Sequence, residues 1–169
     1  PDLTIRPAKG PERATPGAGP EQTVRELSLH KAQEVAQTCA PEDIIIAADT
    51  IVYLDGAILG KPRDHDDAVR MLTALSGREH TVYTGVAVLR GGETRLAAEH
   101  TAVRFRTLTP EEITRYIATG EPMDKAGAYG IQGRGALFVS HLDGDYFNVM
   151  GLPLCRLGQL LNELGVELL

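Results

Sequence analysis

The chain has 169 residues and a mass of 18.2 kDa, the size of one ordinary domain spanning 1–169, and 43% hydrophobic against 24% charged residues is the composition of a globular fold. With 17 basic and 23 acidic side chains the formal net charge is −6, which argues against a nucleic-acid polymer as partner. No apolar run approaches the roughly 20 residues that span a bilayer, and two cysteines, Cys39 and Cys155, are too few for a disulfide framework or a cysteine zinc site, so a reducing, cytoplasmic setting is expected.

Residues 3–6 read as a short strand, and the proline- and glycine-rich stretch 7–20 as a loop of a length that is often functional. Val24, Leu27, Ala32, Val35 and Ala36 recur at helical spacing, which predicts a helix over 21–40 stopped by Pro41. The β-branched run 43–48 predicts a strand buried on both faces, with Asp49 where that strand ends. Residues 51–54 and 57–59 flank Asp55-Gly56, the signature of a tight hairpin with a type I′ turn. An amphipathic helix follows over 65–75, closed by Gly77, and a larger hairpin over 81–90 and 94–106 turns at Gly91-Gly92. Thr109 to Glu112 is a capping box that opens a helix to about 119, where Gly120 ends it. A glycine-rich segment, 120–135, precedes an expected third hairpin formed by 136–142 and 146–149 around Asp143-Gly144. A C-terminal helix carries Leu154, Leu157, Leu161 and Leu164 on one face. Hairpins mixed with helices indicate a mixed α/β (α+β) fold.

Four places could carry chemistry. An acid at a strand end is a common ligand contact in open sheets, so Asp49 is a candidate, with an Asx turn as its structural alternative. The segment 56–62 superficially suggests a phosphate loop, but proline stands where Ser or Thr must hold magnesium, and it opens no helix. Lysine is scarce, with four residues against thirteen arginines, and Lys31, Lys61 and Lys125 fall within the segments already singled out; the alternative is that they are ordinary surface lysines. Finally, 124–135 sets four glycines beside Asp124, Lys125 and Gln132, which suits either a loop clasping a flat or charged ligand or a plain crossover. The five histidines show no metal-ligand spacing, and no serine-hydrolase elbow is present.

Taken together, Ala48-Asp49-Thr50, Leu59-Gly60-Lys61-Pro62, Leu75-Ser76-Gly77, Thr84-Gly85-Val86, the run 120–133 and Asn148-Val149-Met150-Gly151-Leu152-Pro153 resemble the Maf family over essentially the whole chain. The resemblance implies an inosine-triphosphatase-like fold, a central mixed sheet with flanking helices and a substrate cleft. It also implies a cytoplasmic nucleoside triphosphate pyrophosphatase that cleaves between the α and β phosphates with Mg²⁺ or Mn²⁺. Ile131-Gln132-Gly133 is similar to the branch acting on dTTP and UTP rather than its sister acting on N7-methyl-GTP. Carried over residue by residue, Asp49 and Glu12 are the catalytic and metal-binding carboxylates and Lys31 and Lys61 the basic pair. Thr50 and Gln132 match positions linked to substrate choice, and Asp124 and Lys125 belong to the same binding segment. In the family an acidic pair stands in the early loop, whereas here Pro11 precedes Glu12. Family members also begin with a strand and an S-x-S-P-R-R motif; this chain opens at Pro1 after that pattern, so about twenty residues and part of a phosphate clamp are expected to be missing. Members often form homodimers. The competing expectation is a non-catalytic nucleotide-binding or regulatory protein of the same fold, linked to control of cell division.

Overall fold

Gly19 and Pro20 start the first helix in the computed structural model, which describes residues 3–11 and 13–169. Proline at the first helical position gives up no backbone bond, because that N–H has no partner within the helix. Helix α1, Pro20–Ala36, buries Val24, Leu27 and Ala32 and ends a turn before Pro41. The Thr38 hydroxyl bonds the Val35 carbonyl while Thr38 and Cys39 make tightened backbone bonds to Val35 and Ala36, so the last turn unwinds earlier than periodicity alone indicates. Residues 3–6 form no strand. Leu3 and Ile5 are each 87% exposed, and among the described residues no strand lies alongside to complete a ladder.

Strand β1, Ile45–Leu54, runs without interruption through Asp49, which therefore sits in mid-strand and not at a strand end. Nor is its start buried on both faces, since Ile46 and Ile44 just ahead of the strand are about 40% exposed. The turn Asp55-Gly56, with φ of 50° and 83°, has the left-handed conformation at both centres that a type I′ turn requires and leads into β2, Ala57–Leu59. Helix α2, His65–Leu75, is capped by the Asp64 carboxylate accepting from Asp67 N–H; β3, Glu79–Arg90, and β4, Glu93–Phe105, then form the long hairpin turning at Gly91-Gly92. Helix α3, Pro110–Ile117, shows the complete Thr109–Glu112 capping box. Short 3₁₀ turns occupy the glycine-rich segment before β5, Val139–Asp143.

The expected third hairpin does not form, because residues 146–150 are helical. Asp145 caps this helix α4, Tyr146–Met150, by accepting from Phe147 N–H, and buried Asn148 ties it to the sheet through Val82 O and Thr101 Oγ1. Helix α5, Leu154–Glu163, closes the described fold. Among the described residues the sheet has the order β2-β1-β3-β4-β5, and where a mixed sheet is expected every described pairing is antiparallel.

Partners directly opposite in a sheet point to the same side, so the register sorts the molecule into layers. Asp49 opposes Gly85, and a Cβ on Gly85 would run into the Val24 carbonyl; α1 therefore covers the Asp49 face. Thr50 opposes Thr84 and Val52 opposes Val82, and this second face carries the rest. Val52, Val82, Val103 and Phe105 pack there with α2, α3 and the glycine-rich turns, while Val86, Val88 and Ala97 pack with α5.

His80 is buried in the larger cluster at 3% exposure, with its Nε2 2.8 Å from Tyr129 Oη and its ring edge-on to Phe105. Burial pulls its pKa from 6.5 down to about 4, so the folded protein holds the imidazole neutral across a range where the unfolded chain protonates it. The resulting stability is fully present above pH 6.5 and is lost as pH falls to 4, by on the order of 3 kcal/mol from this group. Urea unfolding at pH 7, 5.5 and 4.5 is expected to reveal that slope, and His80→Gln is expected to flatten it. An unaltered slope in the variant assigns the acid sensitivity elsewhere. Asp67, held at about 2 by Arg70 and Arg63, contributes only in a lower window, from its ordinary 3.8 downward.

Candidate active site

A cleft of about 560 Å³ opens beside the middle of β1. Strand β2 pairs only with Val52–Leu54, and no other described strand covers that side of residues 45–51. Side chains from both faces of the strand therefore reach the cleft. On one face Thr23, Leu27 and Lys31, four residues apart along α1, project toward it, and Lys31 Nζ donates to the Asp49 carboxylate. Asp49 is 9% exposed and the Lys31 side chain 29%, so this ion pair is largely withdrawn from water, where charges act on one another more strongly than at the surface.

On the opposite face lie Thr50, Val52 and the segment that follows α3. Gly127 (φ 68°) makes that docking possible: a Cβ there would stand 2.7 Å from Val52 Cγ2, so only glycine lets the turn lie against β1. Gly127 N–H also donates to Gly60 O, which ties the Lys61 loop to the glycine-rich segment. Lys61 and the paired Asp124 and Lys125, 2.7 Å apart, line the wall between the two faces. The Lys125 ammonium, and more weakly Lys61, hold the Asp124 carboxyl below its ordinary value. Three of the four lysines thus share one cleft in a chain of net charge −6, which is not the scatter expected of ordinary surface lysines.

Gln132 is exposed at the cleft, carried by a loop whose glycines would otherwise leave it loose. Glu121 holds that loop: its carboxylate accepts from Tyr116 Oη, Arg134 N–H and Gly135 N–H, and the Tyr116 hydroxyl in turn accepts from Gly130 N–H. Burial works against the ionised carboxylate of Glu121, but these donors outweigh it and keep the pKa low, while burial raises that of Tyr116. Glycine spacing marks this loop in the sequence, but the Glu121 clamp emerges only in the fold. A lone carboxylate just ahead of a glycine run, with many uncommitted backbone N–H groups nearby, is the signal that could have found it. Ile58 and Met150, 42% and 37% exposed, add apolar surface at the mouth, Met150 being delivered by the unexpected helix α4.

Of the sequence-derived candidates, Asp49, Lys31, Lys61, Thr50, Gln132, Asp124 and Lys125 all line this one cleft. Glu12 lies outside the described residues. Among the described residues no group of three or more His, Cys, Asp or Glu side chains could cage a metal, and no helix is long and apolar enough to cross a membrane.

The cleft gathers ammonium groups, a withdrawn carboxylate, an amide and apolar side chains, groups that suit the phosphates and the base of a nucleotide. Residues 2–164 match the family model described as Maf-like protein. The chain is 50% identical over 167 residues to a dTTP/UTP pyrophosphatase of Moorella thermoacetica, covering 98% of this chain and 86% of that protein. It is 51% identical over 154 residues to a dTTP/UTP pyrophosphatase of Symbiobacterium thermophilum (91% and 79% of the two chains), and 55% identical over 146 residues to one of a Geobacillus species (86% and 78%).

Proposed function

The chain belongs to the Maf family, and from that premise we propose that it hydrolyses dTTP and UTP to the monophosphate and pyrophosphate, as a single domain, in upkeep of the nucleotide pool. The observation that carries this reading is the gathering of Asp49, three lysines and Gln132 around one cleft. Water attacks the α phosphorus and pyrophosphate leaves, a reaction in which positioning and charge neutralisation do most of the work. Lys31 and Lys61 offset charge on the phosphates, and Lys125 extends that field along the wall. Gln132 faces the base, its amide N–H and carbonyl complementing the O4 acceptor and N3–H donor of uracil or thymine.

Mg²⁺ or Mn²⁺ takes oxygen ligands, commonly one or two protein carboxylates with substrate phosphate and water, and Asp49 in the cleft would supply one such group; Glu12, which the family resemblance pairs with it, lies outside the described residues. The ion would contribute charge neutralisation on phosphate oxygens. Asp49 also keeps the Lys31 ammonium directed at the phosphates through their ion pair.

The direct test is pyrophosphate release from a panel of purine and pyrimidine triphosphates with Mg²⁺. Turnover of dTTP and UTP ahead of the purines is expected; binding without turnover overturns the reading. Lys61→Ala is expected to lower kcat/KM on dTTP by about tenfold or more, the scale of one lost charge-assisted contact. Lys9→Ala serves as the control, since Lys9 is exposed outside the cleft and engages Glu34 through its backbone N–H. Equal kinetics in the two variants would return Lys61 to the ordinary surface.

A further inference from the structure

A second hollow, of about 220 Å³, is lined by α3 and by the 3₁₀ turn Arg134–Phe138, and it shares no lining residue with the cleft beside β1. Tyr116 and Phe138 meet edge to face there at 4.8 Å between ring centroids, and Leu137 beside them is 73% exposed. Three arginines share this apolar setting, and their situations differ. Arg106 is engaged: it donates to both carboxylate oxygens of Glu112 and to the Leu137 and Thr107 carbonyls, and its guanidinium stands 5.8 Å from the centre of the Phe138 ring. Glu112, the acid of the pocket lining, is thereby turned to Arg106 and to Thr109 N–H. Among the described residues only Arg13, Arg115 and Arg134 of the thirteen arginines have no hydrogen bond or ion pair, and two of those three stand at this pocket. Glu111 and Glu112 act on the exposed Arg115 through space, but neither closes a contact with it.

Two guanidiniums with open donors beside a concave aromatic wall are suited to an oxyanion, since the planar fork of each matches a pair of phosphate oxygens. A carboxylate would answer only one of the two charges, whereas a phosphate group answers both. The volume falls below the roughly 300–1,000 Å³ of pockets that enclose a drug-sized ligand, so it suits a small anion and not a whole nucleotide. We propose that this pocket binds phosphate, as the free ion or as pyrophosphate, between Arg115 and Arg134, at a site separate from the cleft. Its occupation bears on the glycine-rich loop. Arg134 gives its backbone N–H to Glu121, whose carboxylate also accepts from Gly135 N–H and the Tyr116 hydroxyl; the Tyr116 ring lines the pocket, and its hydroxyl accepts from Gly130 N–H. An anion that fixes the Arg134 side chain beside Tyr116 therefore holds residues 130–135 at both ends and slows their local opening.

Phosphate binding here requires no turnover, so its test is separable from that of the proposed hydrolysis. Two-dimensional amide NMR spectra of the whole chain, followed during titration with inorganic phosphate and, separately, with pyrophosphate in the absence of Mg²⁺, read the site directly. Saturable shifts are expected at the Arg115, Arg134 and Gly135 amides, with slower hydrogen exchange at Gly130 and Gly135. Whichever anion saturates them at lower concentration identifies the source, and either one upholds the site. The double variant Arg115→Gln, Arg134→Gln is expected to weaken that response by about tenfold or more while shifts around Lys61 in the cleft persist; Lys61→Ala is expected to do the reverse. Should the double variant lose its native spectrum, Arg115→Gln alone, on an exposed position of α3, asks the same question. Sodium chloride at matched ionic strength that moves the same amides equally, or a variant that responds as the wild type does, overturns the proposal. Turnover of dTTP by a protein whose pocket takes neither anion overturns this proposal alone; saturable binding here by a protein that turns over no triphosphate upholds it and overturns the function reading.

Discussion

Asp49→Asn is expected to lower pyrophosphate release from dTTP by at least about 10²-fold, the scale typical of losing a group that orients or activates the attacking water. The substitution conserves volume and leaves the β1–β3 ladder untouched, since the ladder is built from backbone groups. What it removes is charge: an oxygen donor for a divalent ion, and a carboxylate that accepts from Lys31. Breaking a withdrawn ion pair from one side removes part of what compensates the other charge. Here the Lys31 side chain is 29% exposed, so water can take over part of the solvation and the fold should survive with a modest drop in Tm. Steady-state rates together with thermal unfolding separate the two effects. A purified, folded variant that keeps more than about a tenth of wild-type turnover removes Asp49 from the chemistry.

Gly85→Ala should damage stability and activity together. Gly85 opposes Asp49 across the β1–β3 pair, and the backbone of α1 rests on it so closely that a Cβ would overlap both the carbonyl oxygen and the carbon of Val24. Backbone cannot swing aside as a side chain can, so one methyl must lift the helix. Overpacking of this kind costs about 1–3 kcal/mol, and contact with main chain puts the expectation at the upper end. The same displacement carries Lys31 away from Asp49, since Lys31 rides on α1, so kcat is expected to fall along with the urea midpoint. Gly158→Ala in α5 is the control: nothing lies within 4 Å of its added Cβ, and alanine is the better helix former by about 1 kcal/mol. Equal stability of the two variants would show that α1 can shift freely over β3 and that the close approach at Gly85 does not hold the site together.

The parts of the fold legible in the sequence are those whose cause lies within a few residues. The amphipathic spacing of 65–75 marks α2, the Thr109–Glu112 box starts α3 because the cap bonds an N–H three residues away, and Asp55-Gly56 and Gly91-Gly92 turn their hairpins because their backbones accept left-handed angles. That seven of the candidate residues line one cleft was foreshadowed too, in the scarcity of lysine and in the motifs that carry the family resemblance. Other features depend on partners far along the chain, and only the tertiary structure decided them. Residues 3–6 have strand composition, but a strand exists through its neighbour and none lies beside them among the described residues. Residues 146–149 are expected to form a hairpin arm, yet Asn148 is drawn into the core by Val82 and Thr101, more than forty positions away, and the segment turns helical beneath the Asp145 cap. Asp49 and Thr50 are adjacent in sequence and look like one motif. The two-residue period of a strand sends them to opposite faces, one to Lys31 and the other to Thr84, and only the open side of β1 brings both into one cleft.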